Sequence, residues 1–328
     1  MTAALLLVLA CSQTAPPEDT TAALASARAL LSRDRPREAI AALEGRDASD
    51  PRVQLVRGVA HYHAGDASQA VALLQPIVDR LPEGSEERRE AAQVLGLALY
   101  LAGRIGDAVP WMEATREWAG SNPELLQVLG TAYIQTRQPD KAREVLARAF
   151  EVAPEAAPAH LLAAQIMIRL QHEALAEEEL KKAIAKDPRL PQAHFLLGQL
   201  ALFRARFEEA TAATRKEIEL NPAHNLAWSQ LGDIYVRQQK WDEAIAALQR
   251  SIWVSPYYSA PYILLGRAYM KKGQPATAEA MLRRAVEYDP NNKQAHYLLG
   301  QVLQQAGRTE EARQELELAE RLQGAAGR

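Results

Sequence analysis

Cysteine is nearly missing from this chain: of 328 residues only Cys11 carries a thiol, which excludes an intrachain disulfide and any zinc site built on several thiolates. Aromatic residues are also scarce, 6% of the chain against 48% hydrophobic residues overall. The apolar content is therefore mainly Ala and Leu, which points to close-packed helices and away from a β-sandwich. Charge has no dominant sign either. The formal net charge is −3, and acidic and basic residues are interleaved with no basic block able to neutralise a row of phosphates, which argues against a nucleic-acid partner. Catalytic signatures are absent too: there is no Walker loop, dinucleotide fingerprint, His-Glu-x-x-His or nucleophile elbow. No enzyme activity and no cofactor are expected, while length alone leaves one large or two ordinary domains open.

Long apolar runs are missing as well. The stretch 3–10, AALLLVLA, is far shorter than the roughly 20 residues a helix needs to cross a bilayer, but it suits the apolar core of a secretory signal. Val8-Leu9-Ala10-Cys11 resembles the lipobox of bacterial lipoproteins, which implies a signal peptide over 1–10 and lipidation of Cys11. The following SQTAPPEDTT is polar and proline-containing, so 11–19 reads as a flexible tether lifting a domain off a membrane. Ser12 resembles the outer-membrane sorting pattern. The alternative is an apolar leader over 1–19 on a cytoplasmic protein, with Cys11 an unmodified thiol.

What the chain has is a repeat. Gly96 and Gly130 set a period of 34 residues, continued by Gly198, Gly232, Gly266 and Gly300, with Ala164 in the intervening slot. Twelve residues after each lies an alanine: Ala108, Ala142, Ala176, Ala210, Ala244, Ala278 and Ala312. Proline closes most units at Pro154, Pro188, Pro222, Pro256 and Pro290, where it forbids the helix to continue. Apolar positions recur at helical spacing in two blocks, and Gly65, Gly103, Gly273 and Gly307 share a slot between them, as suits a left-handed helix terminator. Each unit is thus a helical hairpin, its helix A carrying the glycine and its helix B the alanine.

The segment 227–256, AWSQLGDIYVRQQKWDEAIAALQRSIWVSP, resembles the tetratricopeptide repeat family through Trp228, Leu231, Gly232, Tyr235, Ala244 and Pro256. The resemblance implies an all-α, right-handed superhelical solenoid. Its register places units near 89–122, 123–156, 157–190, 191–224, 225–258, 259–292 and 293–326. Upstream, Gly58, Ala70 and Pro82 define a unit near 51–88, with extra residues around Glu83-Gly84-Ser85-Glu86 in a loop, and Ala27 and Ala39 suggest a degenerate unit near 20–50. About nine repeats fill 20–326, and the polar last helix, rich in Glu and Arg, is expected to face water and cap the stack.

Histidine is the residue most in need of an account, as the commonest metal ligand and general base. His160, His194 and His296 hold the fourth position of their repeats, filled elsewhere by Trp228 and Tyr262, and are expected to pack between helices. His61 and His63 are two residues apart on one helix, a poor spacing for chelation, so no metal site is assigned. Family resemblance implies that positions 2, 5, 9, 12 and 13 of each repeat face a concave groove. Those positions include Tyr62, Gln93, Tyr100, Gln127, Thr131 and Gln135 in the N-terminal half. Further along come Phe195, Gln199, Phe203, Ser229, Asp233, Arg237, Ile263, Arg267, Lys271, Tyr297, Gln301 and Gln305. From these, Tyr100, Gln127, Phe195, Gln199, Phe203, Asp233, Arg237, Arg267, Lys271, Tyr297 and Gln301 are the candidate partner-binding residues. Glutamines can hydrogen-bond a peptide backbone both ways, and aromatics with arginines can form a hot spot. Equally, Phe195 and Phe203 can simply pack against neighbouring helices, with the glutamines an ordinary solvated face. The Lys and Asn of the chaperone-tail carboxylate clamp are missing from positions 5 and 9, so heat-shock chaperone tails are not the expected ligand.

The expectation is a non-catalytic scaffold that binds a protein or peptide, lipid-anchored through Cys11 in a bacterial cell envelope, facing the periplasm from the outer membrane, and assisting complex assembly. A cytoplasmic adaptor with the same solenoid is the main alternative. A fragment of a larger enzyme and a self-associating spacer are two others.

Overall fold

The computed structural model describes residues 17–119 and 122–326; the expected signal peptide over 1–10 and lipidation at Cys11 lie outside the described residues. Among the described residues there is no strand, and the helices form nine antiparallel pairs. The chain divides into two compact units, one ending at Pro154 and one beginning at Glu155. In the first, α1 (Pro17–Leu31) pairs with α2 (Pro36–Ala42), α3 (Pro51–His63) with α4 (Ala67–Leu74), α5 (Glu86–Leu101) with α6 (Ile105–Ala119), and α7 (Pro123–Gln135) with α8 (Pro139–Ala149). A short 3₁₀ turn at Val78–Arg80 precedes the loop that absorbs the out-of-period residues. In the second unit, α9 (Ala157–Arg169) pairs with α10 (Glu173–Lys186), α11 (Ala193–Phe203) with α12 (Phe207–Leu220), α13 (Asn225–Arg237) with α14 (Trp241–Val254), α15 (Ser259–Lys271) with α16 (Pro275–Tyr288), and α17 (Lys293–Gln305) with α18 (Thr309–Ala326). Within each unit, every second helix also packs on the first helix of the next pair. The first helix begins at Pro17, inside the segment 11–19 read as a tether, because proline suits a first turn whose N–H has no intrahelical partner.

Helix starts follow the capping residues. Asp50, Ser85, Asn122 and Asn292 each accept a backbone N–H from the first turn of α3, α5, α7 and α17. Helix ends are more uniform than the glycines suggest. The slot held by Gly65, Gly103, Gly273 and Gly307 is left-handed in every repeat, and Asp34, Arg137, Gln171, Ala205 and Gln239 adopt the same positive φ there. Glycine is not required because two backbone bonds hold the turn. At Arg137, its own N–H reaches the Ile134 carbonyl at 3.0 Å and the Gln138 N–H reaches the Tyr133 carbonyl at 2.7 Å. A side chain at this slot costs about 1 kcal/mol against glycine, which the paired bonds offset.

The small-residue slot has a steric cause. A Cβ added to Gly58, Gly130, Gly232 or Gly266 would stand 2.4 to 2.6 Å from Leu74, Leu146, Leu248 or Leu282 of the partner helix. The alanines Ala108, Ala142, Ala176, Ala210, Ala244 and Ala278 are wholly buried, so backbones approach closely along both helices. At the fourth position the structure adds hydrogen bonds to the expected packing. His194 Nε2, Trp228 Nε1, Tyr262 Oη and His296 Nε2 each reach the carbonyl of a proline six residues earlier, Pro188, Pro222, Pro256 or Pro290, at 2.8 to 3.0 Å. The ring thereby fixes the loop that ends the preceding repeat. His160 is buried at the same position and binds Glu179 Oε2 through Nδ1 at 2.7 Å. No helix of the described residues is long and apolar enough to cross a membrane, and no group of His, Cys, Asp and Glu among them is placed to hold a metal ion.

Candidate functional site

The second unit carries an open cleft of about 690 Å³ on its helix-A face. Its walls are built by residues one or two turns apart on successive first helices: Phe195 and Gln199 on α11, Ser229, Asp233 and Arg237 on α13, Ile263 and Arg267 on α15. That alignment follows from stacking hairpins of one period, which sets equivalent positions side by side. Leu202, Leu226 and Leu264 add apolar wall, while Tyr258, Asn292 and Gln294 come from the ends of the neighbouring pairs. Arg267 also borders a second hollow of about 530 Å³ with Met270, Lys271, Leu298, Gln301, Gln304 and Gln305. Tyr297 lines a third, of about 610 Å³, with Leu316, Ala319 and Glu320 at the end of the last pair.

Buried polar contacts fix the cleft wall from behind. Glu217 of α12, 1% exposed, accepts the backbone N–H groups of Gln192 and Phe195 at 3.3 Å and faces His224 Nδ1 at 3.0 Å. It thereby supplies from another helix the N-terminal cap that Gln192, in a left-handed conformation, does not provide. The His224 ring lies 4.9 Å from the Phe195 ring. Gln230 Nε2 donates to Thr214 Oγ1 at 2.8 Å and reaches the Phe195 carbonyl at 3.4 Å. In that repeat Thr214 stands where a leucine, or Met112 opposite Gly96, faces the glycine slot of the other repeats, and a Cβ on Gly198 would lie 2.6 Å from both Thr214 Oγ1 and Gln230 Nε2. On the α10 side, Glu177 accepts from Arg204 and Arg206 at 2.7 Å, and the Arg206 guanidinium, aided by Lys181, holds its carboxyl down to about 2.

The structure brings Phe195, Gln199, Asp233, Arg237 and Arg267 to one cleft and Lys271 and Gln301 to the hollow that Arg267 shares. Asp233 and Arg237 form an ion pair at 3.1 Å on adjacent turns of α13, and Gln301 Nε2 donates to the Tyr297 hydroxyl at 2.9 Å. Phe195 both lines the cleft and packs on the core below it. Phe203 does neither: it is 76% exposed and does not line the cleft. It is the last residue of α11. Tyr100 and Gln127 belong to the first unit, half-buried and exposed respectively, and burial raises the Tyr100 hydroxyl above its ordinary value. The sequence reading passed over Leu226, Ala260 and Gln294, although all three occupy position 2 of their repeats and the same periodic rule finds them. Tyr258 and Asn292 lie in connections, where helical spacing gives no signal.

Models of the tetratricopeptide repeat match residues 18–85, 99–166 and 263–326, and a further repeat model matches 232–273. No curated protein matches the chain. Among solved structures it is similar to MamA from Desulfovibrio magneticus RS-1, at 20% identity over 52% of this chain and 96% of that one, with a TM-score of 0.47. It is also similar to a chain of the APC/C hetero-tetramer Cut9-Hcn1, at 19% identity over 87% of this chain and 56% of that one, with a TM-score of 0.47. A third is YrrB, described as a TPR protein with an unusual peptide-binding site, at 18% identity over 56% of this chain and 95% of that one, with a TM-score of 0.42.

Proposed function

Because the chain belongs to the tetratricopeptide repeat family, we propose that it is a protein-interaction scaffold whose helix-A cleft in the second unit takes a segment of a partner protein. The cleft itself carries this reading. It joins an apolar wall of Phe195, Leu226 and Ile263 to the amides and charges of Gln199, Asp233, Arg237 and Arg267, the mixture that anchors apolar side chains while hydrogen-bonding a main chain. Its volume of about 690 Å³ accommodates several side chains. The wall is also held in place beforehand by the Glu217 and Gln230 contacts, which lowers the ordering cost of binding.

The role is non-catalytic. Its site in the cell, on this proposal, is the bacterial envelope, with the chain tethered by a lipid on Cys11; support comes from the apolar run 3–10 directly before the only cysteine. Metabolic labelling with an alkyne fatty acid tests the anchor: label on the wild type and none on Cys11→Ser supports it, and an unlabelled wild type leaves the cytoplasmic adaptor. For the cleft, wild type and Gln199→Trp are immobilised and the proteins retained from the producing cell are compared by mass spectrometry. A tryptophan there fills the cleft from an exposed position. A partner held by the wild type, lost by Gln199→Trp and kept by a control Arg250→Trp on α14 supports the cleft; equal retention by all three refutes it.

A further inference from the structure

We infer that the cleft selects a partner segment carrying an acidic side chain, which seats between Arg267 and Lys271 while apolar side chains lie against Phe195, Leu226 and Ile263. The inference rests on the cleft being the peptide site, and adds what that site discriminates.

Three observations converge on it. Arg267 and Lys271 stand one turn apart on α15 and border the same hollow, yet among the described residues neither makes an ion pair. The chain has 41 acidic against 38 basic residues, and nearby cations do find acids. Arg237 is tied to Asp233, Arg308 to Glu279, and Lys272, next in sequence to Lys271, to Asp242. Two adjacent like charges on one helix repel each other, so leaving both unpaired works against the fold. The last turn of a helix favours a cation, which accounts for Lys271 but not for Arg267 one turn earlier.

The second observation is the lining of the hollow. Besides the two cations it offers Met270, Leu298 and the amides of Gln301, Gln304 and Gln305, and no carboxylate. An incoming carboxylate therefore meets two cations, amides whose NH2 groups can turn to donate, and apolar surface, with no like charge in the lining. Arginine supplies a planar fork for it and lysine a movable point charge. Third, Arg267 borders both this hollow and the larger cleft. One short segment can therefore place apolar side chains in the cleft and an acid beside them. The apolar wall and the chain's net charge of −3 favour a peptide over a nucleic acid as the source of the negative charge.

The test uses the full chain and fluorescence anisotropy with three pools of short labelled peptides. All pools vary Leu, Ile and Phe at the same positions, and the remaining positions are Glu, Gln or Lys. The Glu pool is expected to bind about tenfold tighter than the Gln pool at low salt, with the Lys pool weakest. Arg267→Gln with Lys271→Gln removes that preference without lowering the melting temperature, whereas Gln199→Trp weakens all pools alike. Equal binding of the Glu and Gln pools, still sensitive to Gln199→Trp, overturns the acidic selection and leaves the cleft standing. Failure of every pool to bind counts against the cleft and the selection together. Tighter binding of a single-stranded oligothymidylate through Arg267 and Lys271 assigns the charge to nucleic acid instead.

Discussion

The two compact units repeat one hairpin but fill its interior differently. Among the described residues, the buried polar or charged side chains of the first unit are Thr115 and Arg143. Thr115 bonds the Trp111 carbonyl of its own helix, and Arg143 bonds Asp140 and the Pro154 carbonyl. In the second unit His160, Glu177, Glu179, His194, Thr214, Glu217, Ser229, Gln230, Ser251 and His296 are all buried, and many of their bonds run between helices. Apolar packing specifies that two helices meet; directional bonds also specify at which register. The half with the directional interior is the half that carries the cleft, and the Glu217 and Gln230 contacts end on the Phe195 backbone of its wall.

The largest expected difference comes from removing one carboxylate in each half. Glu217→Ala removes a buried carboxylate that binds partly buried His224 and two backbone N–H groups, and is expected to cost about 3 kcal/mol. Glu113→Ala, whose carboxylate is 35% exposed and serves Tyr133 and Lys141, is expected to cost about 1 kcal/mol. Urea denaturation with peptide-resolved hydrogen exchange reads both, and equal losses would break the comparison.

The same substitution at the same slot should also diverge. Gly130→Ala meets only the Leu146 side chain and should fall within about 1 kcal/mol of wild type, since Ala164 occupies that slot naturally opposite a buried Leu180. Gly198→Ala meets the hydrogen-bonded Thr214 and Gln230 and should cost about 2 kcal/mol more. Thermal unfolding decides it; a smaller loss at Gly198 means the polar pair gives way freely. A double-mutant cycle sharpens the point further. Thr214→Leu and Gln230→Leu are each expected to lose about 1 to 2 kcal/mol, and the double variant less than their sum, because it leaves no polar group unpaired. Additive losses would show that the two residues act independently.

Acid supplies the smallest effect. Glu177 titrates near 2 instead of the ordinary 4.5, chiefly because of the Arg206 guanidinium, so its contribution is complete above pH 4.5 and is lost as pH falls towards 2. The half-exposed partners keep this to about 1 kcal/mol. Glu177→Gln should flatten the fall in stability across that window, measured by urea midpoints at successive pH values; an unchanged slope would assign acid sensitivity to other carboxylates.

The hairpins were legible because close approach demands glycine or alanine, and because proline ends a helix wherever it falls, so Gly232, Ala244 and Pro256 announce a unit by type alone. The left-handed turns at Arg137, Gln171, Ala205 and Gln239 were hidden, since backbone bonds and not the residue hold them. The polar interior was hidden for a related reason. Thr214 and Glu217 look by type like surface residues of an amphipathic helix, and only the neighbouring helix makes them buried. Of the candidate site, residues on the periodic positions of α11, α13 and α15 came together in space because stacking preserves the period. Phe203, the last residue of α11, lies outside the cleft, because a spacing rule counts residues along a helix and does not see where the wall formed by the neighbouring helices ends.

The ring-to-proline bonds redraw the boundary of the exchangeable module. His194, Trp228, Tyr262 and His296 reach back across the connection, so each proline loop is held by the hairpin that follows it although it closes the one before. A gene rearrangement or a designed deletion that cuts just after such a proline separates a donor from its acceptor. One that cuts before it, at the end of the second helix, transplants the pair intact. Whole periods taken from helix end to helix end are therefore the cassettes by which such an array can be lengthened or shortened without leaving an orphaned ring.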